Sequence, residues 1–299
     1  MKILSFGSMN IDNTYSVDEF VQPGETMTAK NLSKFCGGKG LNQSIALASA
    51  GADVAHFGCV GEDGDILLDM LKSRGVNTDS VIKIDNITSG HAIIQVDSHG
   101  QNSILLYPGA NRRMTPELID RELEKYSCGD WLLIQNETNC LEYIIRAANK
   151  KGMKIAFNPS PMDETVSTLP LELVDLFLVN EIEGAAVTGK EITEEITAEF
   201  EKLFPNAAVI LTLGKKGSIF KSGKDMLFQP SYCGTVKDTT GAGDTYTGFF
   251  IANYIKGVSP QECMRIAAMA STVQISRDGA AIAIPKKQEV LNALKNHCR

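Results

Sequence analysis

The chain has 299 residues, 43% of them apolar and 22% charged, an ordinary soluble composition that suits one large α/β unit with a small appendage. A net charge of −7 argues against nucleic acid or an anionic membrane as the main partner, since either rewards a basic surface. No run approaches the ~20 apolar residues of a membrane span. The apolar run after Lys2 is cut by Asn10 and Asp12 too soon for a secretory signal, so the cytoplasm is the expected location.

In chain order, residues 2–7 read as a buried first strand. Residues 14–35 contain a Pro23-Gly24 turn and a strand-like run at 26–30. Residues 42–50 have helical composition stopped by Gly51, residues 54–59 are strand-like, and residues 65–74 form a helix stopped by Gly75. The run Gly58-Cys59-Val60-Gly61-Glu62-Asp63-Gly64 is read as a loop, because its spacing fits no dinucleotide fingerprint. Residues 91–106 alternate apolar and polar around Ser98-His99-Gly100, a hairpin pattern. Strands are then expected at 131–134, 154–157, 176–179 and 208–213, with helices between them.

This alternation implies an α/β fold with a mostly parallel central sheet flanked by helices, Rossmann-like, with ligands at the C-terminal strand ends. The β segments at about 12–36 and 90–108 would form a small lid on a single unit spanning 1–299. Such a flap should cover a ligand, pair with a second copy, or both. The seven cysteines (Cys36, Cys59, Cys128, Cys140, Cys233, Cys263, Cys298) include no Cys-x-x-Cys pair and are read as buried small hydrophobes in a reducing compartment. The four histidines show no metal-ligand spacing.

Five segments could carry chemistry. In Asp238-Thr239-Thr240-Gly241-Ala242-Gly243-Asp244-Thr245, small residues permit a tight turn that aims N–H groups at one point, where the following helix adds its positive end. Asp244 would then lie beside an anion, suited to taking a proton from an attacking hydroxyl, or it merely caps a helix. Gly37-Gly38-Lys39-Gly40-Leu41-Asn42-Gln43 is not a Walker loop, since Gly40 follows Lys39. It brings backbone close to a small ligand or simply starts a helix. Asn10 and Asp12 point the same way in an extended segment and suit a sugar diol, or form a polar loop. Asn180-Glu181-Ile182-Glu183 reads as a helix cap with first-turn acids, and residues 212–217 as strand end, glycine turn and hairpin.

Together and in this order the five segments resemble the ribokinase-like (PfkB-type) sugar kinase family, over essentially the whole chain. The segment 238–245 matches that family's Asp-Thr-x-Gly/Ala-Ala-Gly-Asp-Thr signature, and Asn180-x-x-Glu183 its other shared element. Asn10-x-Asp12, Pro23-Gly24-Glu25-Thr26, Gly37-Gly38-Lys39-Gly40-x-Asn42-Gln43 and Gly109-Ala110-Asn111 look most like its ribokinase branch. The resemblance implies an ATP-dependent kinase acting on a primary hydroxyl of a free sugar, with ribose to ribose 5-phosphate leading. A sibling kinase for another sugar or a nucleoside, or a non-catalytic sensor, is the alternative.

It further implies Asp244 as general base, with the N–H groups of Gly241, Ala242 and Gly243 around the transferring phosphoryl group. Asn10, Asp12, Gly38, Lys39, Asn42 and Glu137 would hold the sugar, while Asn180, Thr212, Gly214, Gly217 and Gly243 would contact ATP. Glu183 would organise Mg²⁺ through water. A monovalent cation, K⁺, would lie beside the anion turn on Asp238, Thr240 and the loop carrying Gln274, Arg277 and Gly279. Ala283 stands where the family often has a serine completing that site. The exposed edges and apolar face of the β lid lead to the expectation of a homodimer formed through it.

Overall fold

The computed structural model describes residues 1–297, which leaves Cys298 outside the described residues. Its strands are β1 (Ile3–Phe6), β2 (Asn10–Ser16), β3 (Asn31–Gly37), β4 (Val54–Val60), β5 (Val81–Lys83), β6 (Gly90–Val96), β7 (Asn102–Tyr107), β8 (Trp131–Gln135), β9 (Lys154–Asn158), β10 (Leu176–Asn180), β11 (Ala208–Thr212), β12 (Ser218–Ser222) and β13 (Asp225–Gln229). The α-helices are α1 (Lys39–Ser49), α2 (Asp65–Ser73), α3 (Pro116–Leu123), α4 (Leu141–Lys150), α5 (Glu181–Thr188), α6 (Thr193–Leu203), α7 (Ala242–Tyr254), α8 (Pro260–Gln274) and α9 (Lys287–His297).

Nine strands make the main sheet, ordered β13-β12-β11-β10-β9-β8-β1-β4-β5. From β11 to β5 all pairings are parallel, and β12 and β13 add an antiparallel edge. The central strands read as apolar runs (ILSF, WLLIQ, LFLVN) because helices bury both of their faces. Successive residues feed opposite layers. Ile3 joins Leu41, Phe249 and Met264 of α1, α7 and α8, whereas Leu4 joins Ile119, Ile144 and Phe200 of α3, α4 and α6. Each such fully buried Leu, Ile or Phe is worth roughly 1.5–3 kcal/mol.

The second sheet has the order β3-β2-β6-β7. The pairing of β2 with β6 is parallel and the other two are antiparallel. The β6–β7 hairpin turns where expected, with Asp97 Oδ1 accepting the N–H groups of His99 (2.9 Å) and Gln101 (2.8 Å). Both faces of this sheet carry exposed apolar groups. Phe35 and Leu106 share the face of Asp12, and Leu32, Ile93, Leu105 and Tyr107 lie on the other.

Three expectations need correction. Residues 26–30 form no strand; the pairing begins at Asn31, after a segment that leaves the sheet at the Pro23-Gly24 turn. Gly58, Cys59 and Val60 complete β4 rather than a loop, because a glycine there lets the Gly7 backbone pack against the strand. Cys36, Cys59 and Cys263 are buried, Cys140 partly so, and Cys128 and Cys233 are exposed, since the latter two fall in connecting segments.

Candidate active site

Four parallel strands end on polar residues at the same edge of the sheet: Gln135, Asn158, Asn180 and Thr212. Gln135 is in register with Asn158, and Asn180 with Thr212. This is the C-terminal strand edge, where open α/β sheets bind ligands. Gln43, on the first turns of α1, bridges these ends to Asp244. Its Nε2 donates to Asp244 Oδ1 (2.9 Å) and Asn158 Oδ1 (3.0 Å), and its Oε1 accepts from Gln135 Nε2 (2.7 Å). Asn42 Nδ2 donates to the other Asp244 oxygen at 3.0 Å. The carboxylate is buried and bonded to an amide through each oxygen, which fixes its plane; hydrogen bonds to a charged group contribute ~1.5–3 kcal/mol each.

A small residue makes this meeting possible. At Gly248 on α7 any β-carbon would overlap Ala46 of α1, so the two helices cross in contact and their N-termini come together. Gly241 begins α7 in the left-handed region (φ 78°), which lets the chain turn sharply into the helix. The Ala242 N–H is already bonded to Thr239 O (3.2 Å). The N–H groups of Gly241 and Gly243 take no partner among the described residues, so they, rather than all three, are the free donors of the turn.

Asn10 and Asp12 stand on one face of β2. Asn10 is in register with Gly37 and Gly90, and at Gly90 a β-carbon would overlap Asn10 Oδ1 and Asn111 Nδ2. The neighbouring strands thus leave room for these polar side chains. Asn111 Nδ2 donates to Asn10 Oδ1 (2.7 Å), and its Oδ1 accepts the Met9 N–H (3.0 Å). Burial, and secondarily the nearby Glu137 carboxylate, raise the Asp12 carboxyl from 3.8 to about 6. Glu137 accepts hydrogen bonds from Ser8 Oγ and, at 3.0 Å, from the Lys39 N–H, which ties β1 to the start of α1. Burial would lower the Lys39 ammonium, yet Asp244, Glu137 and Glu183 together hold it above its ordinary value.

Two adjoining cavities open at this edge. The smaller, about 240 Å³, is lined by Lys39, Asn158, Asn180, Glu183, Gly243 and Asp244. The larger, about 630 Å³, is lined by Gly214, Gly217, Tyr232, Val236, Ala268 and Ile275; Thr212, Thr239, Ala242, Gly243 and Tyr246 belong to both. A volume of this size fits a small-molecule ligand. Lys39 therefore faces the phosphate-sized space beside Asp244. Asn180 and Glu183 form a capping box, Asn180 Oδ1 accepting the Glu183 N–H (2.9 Å) and Glu183 Oε2 accepting the Asn180 N–H (3.0 Å). The reading of that segment as a helix cap holds, and the same two residues line the smaller cavity.

Over residues 1–287 the chain matches the pfkB family carbohydrate kinases. The chain belongs to that family. The kinase is 33% identical to the ribokinase of Haemophilus influenzae, with 97% of each chain covered. Its backbone is similar to a ribokinase from Thermotoga maritima (TM-score 0.87, 31% identity, 98% of this chain and 99% of that one). It is also similar to an Arabidopsis thaliana ribokinase complexed with ribose and ATP (TM-score 0.85, 29% identity, 98% of each chain).

Of the residues expected from the sequence, Lys39, Asn42, Asn180, Glu183, Gly243 and Asp244 gather around the smaller cavity and its rear wall, and Thr212, Gly214 and Gly217 along the larger. Asn10, Asp12, Gly38 and Glu137 lie on the side of the second sheet. The side chain of Arg277 turns away to Glu289 (2.5 Å). Sequence reasoning passed over Ser8, Gln135 and Asn158, and did not give Gln43 its bridging role. The signal was present: a carboxamide ending an otherwise apolar strand.

Proposed function

We propose that this kinase transfers the γ-phosphoryl group of ATP to the 5-hydroxyl of D-ribose. The observation that carries the reading is Asp244, held by Asn42 and Gln43 at the smaller of the two adjoining cavities, which Lys39 also lines. In this reading Asp12 and Asn10 take the sugar hydroxyls, a carboxylate and an amide being complementary to a diol. Asp244 accepts the proton of the attacking hydroxyl. The free N–H groups of Gly241 and Gly243, with the Lys39 ammonium, stabilise charge on the equatorial oxygens of the phosphoryl group in flight. Adenine lies in the larger cavity against Val236, Ala268 and Ile275. The names of the ribokinase relatives support ribose as the acceptor.

When bound, Mg²⁺ would supply positive charge to the phosphates of ATP. The residues fit such an ion. The cavity lining offers the oxygen donors that suit a hydrated ion, the buried Glu183 carboxylate with the carboxamides of Asn158 and Asn180. Asn158, Asn180 and Glu183 line the space where that water would be oriented. At the position expected for K⁺, the groups of Asp238, Thr240, Gln274 and Gly279 are already engaged with one another.

The second sheet acts as a lid that excludes water from the sugar and as a dimer contact. Apolar side chains on both of its faces support this double use, one face over the sugar and one for a second copy. No helix is long and apolar enough to cross a membrane among the described residues, and free cysteines suit work in the cytoplasm.

The test is ADP release with MgATP over a panel of ribose, 2-deoxyribose, other pentoses, hexoses and nucleosides. Highest kcat/KM on ribose is expected. A faster partner elsewhere in the panel would keep the chemistry and overturn the choice of sugar. Silence throughout, with ribose still binding, would mean a sensor.

A further inference from the structure

Two loops meet beside the anion turn, residues 238–241 ahead of α7 and residues 275–280 after α8. Asp238 joins them, its Oδ1 accepting the Thr240 N–H (2.8 Å) and its Oδ2 the Gly279 N–H (2.9 Å). Burial would raise this carboxyl, but hydrogen bonds from the Thr240 side chain and from the Thr240 and Gly279 N–H groups hold it below its ordinary value. In the family to which the chain is similar, a cation would sit here on Asp238 and the neighbouring carbonyls. The carbonyls of this chain have another partner. Gln274, the last residue of α8, is fully buried, and its Nε2 donates to Thr240 O (2.5 Å) and Gly279 O (3.3 Å). A primary amide has two N–H donors, and both are used.

The rest of the surroundings agree. Ala283 is buried and offers no side-chain oxygen. The guanidinium of Arg277 is bonded to Glu289, outside the pair of loops. Gln274 Oε1 is buried without a partner among the described residues. A cation seated on that oxygen would have to share Thr240 O and Gly279 O with N–H groups whose positive ends already face them. Displacing the amide instead would strand its nitrogen in the interior.

We propose that the Gln274 carboxamide replaces the monovalent cation, acting as a neutral tether that joins the two loops and orders the anion turn, so that turnover does not depend on K⁺. The amide supplies the ordering and not the charge; the negative charge of Asp238 is met by backbone N–H groups instead. Gln274 is a positioning residue. It lies a hydrogen bond away from Thr240, which leads directly into Gly241 and the free donors of the turn. This inference rests on the kinase reading above.

The experiment compares KCl, NaCl and choline chloride at equal ionic strength, for the intact chain and for Gln274→Ala. Two readouts are taken: ADP release with ribose and MgATP, and the thermal midpoint without substrates. For the natural chain, rates and midpoints should match across the three salts. Gln274→Ala should lose activity in choline and regain it in KCl, with a KCl-specific rise in midpoint, because truncation frees the carbonyls. Stimulation of the natural chain by K⁺ beyond about 5-fold, the lower end of a genuine effector coupling, overturns the proposal. So does a K⁺-specific midpoint rise in the natural chain, or a Gln274→Ala variant as active in choline as the parent. If Gln274→Ala does not fold, Gln274→Leu keeps the volume and removes the donors. Absence of turnover in every salt would sink the kinase reading alone, since the midpoints still decide the cation question.

Discussion

Replacing Asp12 with Asn should make the empty protein more stable and the enzyme worse. The Asp12 carboxyl is raised from 3.8 to about 6 by burial and by Glu137, so its ionised form is disfavoured in the fold. The interval from 3.8 to about 6 corresponds to about 3 kcal/mol, at ~1.4 kcal/mol per decade of proton affinity. Because the side chain keeps some contact with water, screening reduces this to roughly 1–2 kcal/mol. The sign follows from proton counting. Between 3.8 and about 6 the folded chain binds more protons than the unfolded one, so this residue lowers stability as pH rises through that window. The penalty is complete above about pH 6 and absent near pH 4, and an isosteric amide does not incur it. Denaturant unfolding of both proteins at about pH 7.5 and about pH 4.5 measures the difference. The variant should be more stable at the higher pH, with the gain shrinking at the lower. Its ribose KM should rise on the order of 10²-fold, as charge-assisted hydrogen bonds to the hydroxyls are weakened. In the parent, kcat/KM for ribose should fall as pH drops through about 6. A variant no more stable than the parent at about pH 7.5, or a gain independent of pH, would refute the reasoning.

Asp244→Asn should lower turnover roughly 10²–10⁴-fold while MgATP and ribose still bind; near-normal turnover would remove Asp244 from the role of base. Gly243→Ala places a methyl where nothing lies within 4 Å, so the thermal midpoint should hold while kcat falls on the order of 10²-fold. An unchanged kcat would mean that the phosphoryl group does not rest on this turn. If the second sheet is the proposed dimer contact, replacing Leu105, which is 68% exposed on it, with Asp should convert a dimer into a monomer by sedimentation velocity. A parent that sediments as a monomer at micromolar concentration would overturn the dimer.

Much of the scaffold was legible because its strands are short apolar runs separated by turn residues, as in WLLIQ and LFLVN. The parallel partnership of β2 with β6 was not, since pairing between residues 80 apart leaves no local trace. The same is true of the bridge from Gln43 to Asp244, residues 201 apart in sequence. Local spacing located each polar cluster but not its neighbours, which depend on helix crossing at Gly248. Gln274 illustrates the remaining gap. The resemblance placed it only in a loop beside a cation, while its long side chain, once buried, had to find acceptors and took the carbonyls of Thr240 and Gly279.

The carboxamides behind Asp244 also govern where a proton can go. Asn42, Gln43, Gln135 and Asn158 surround its inner side, and an amide donates a hydrogen bond without surrendering the proton at neutral pH. Glu183 lies beyond Asn158, separated from Asp244 by two such groups. The wall is therefore an insulator. In the reaction proposed above, a proton accepted by Asp244 would have no inward path through these amides and would have to return to the cavity that Asp244 lines.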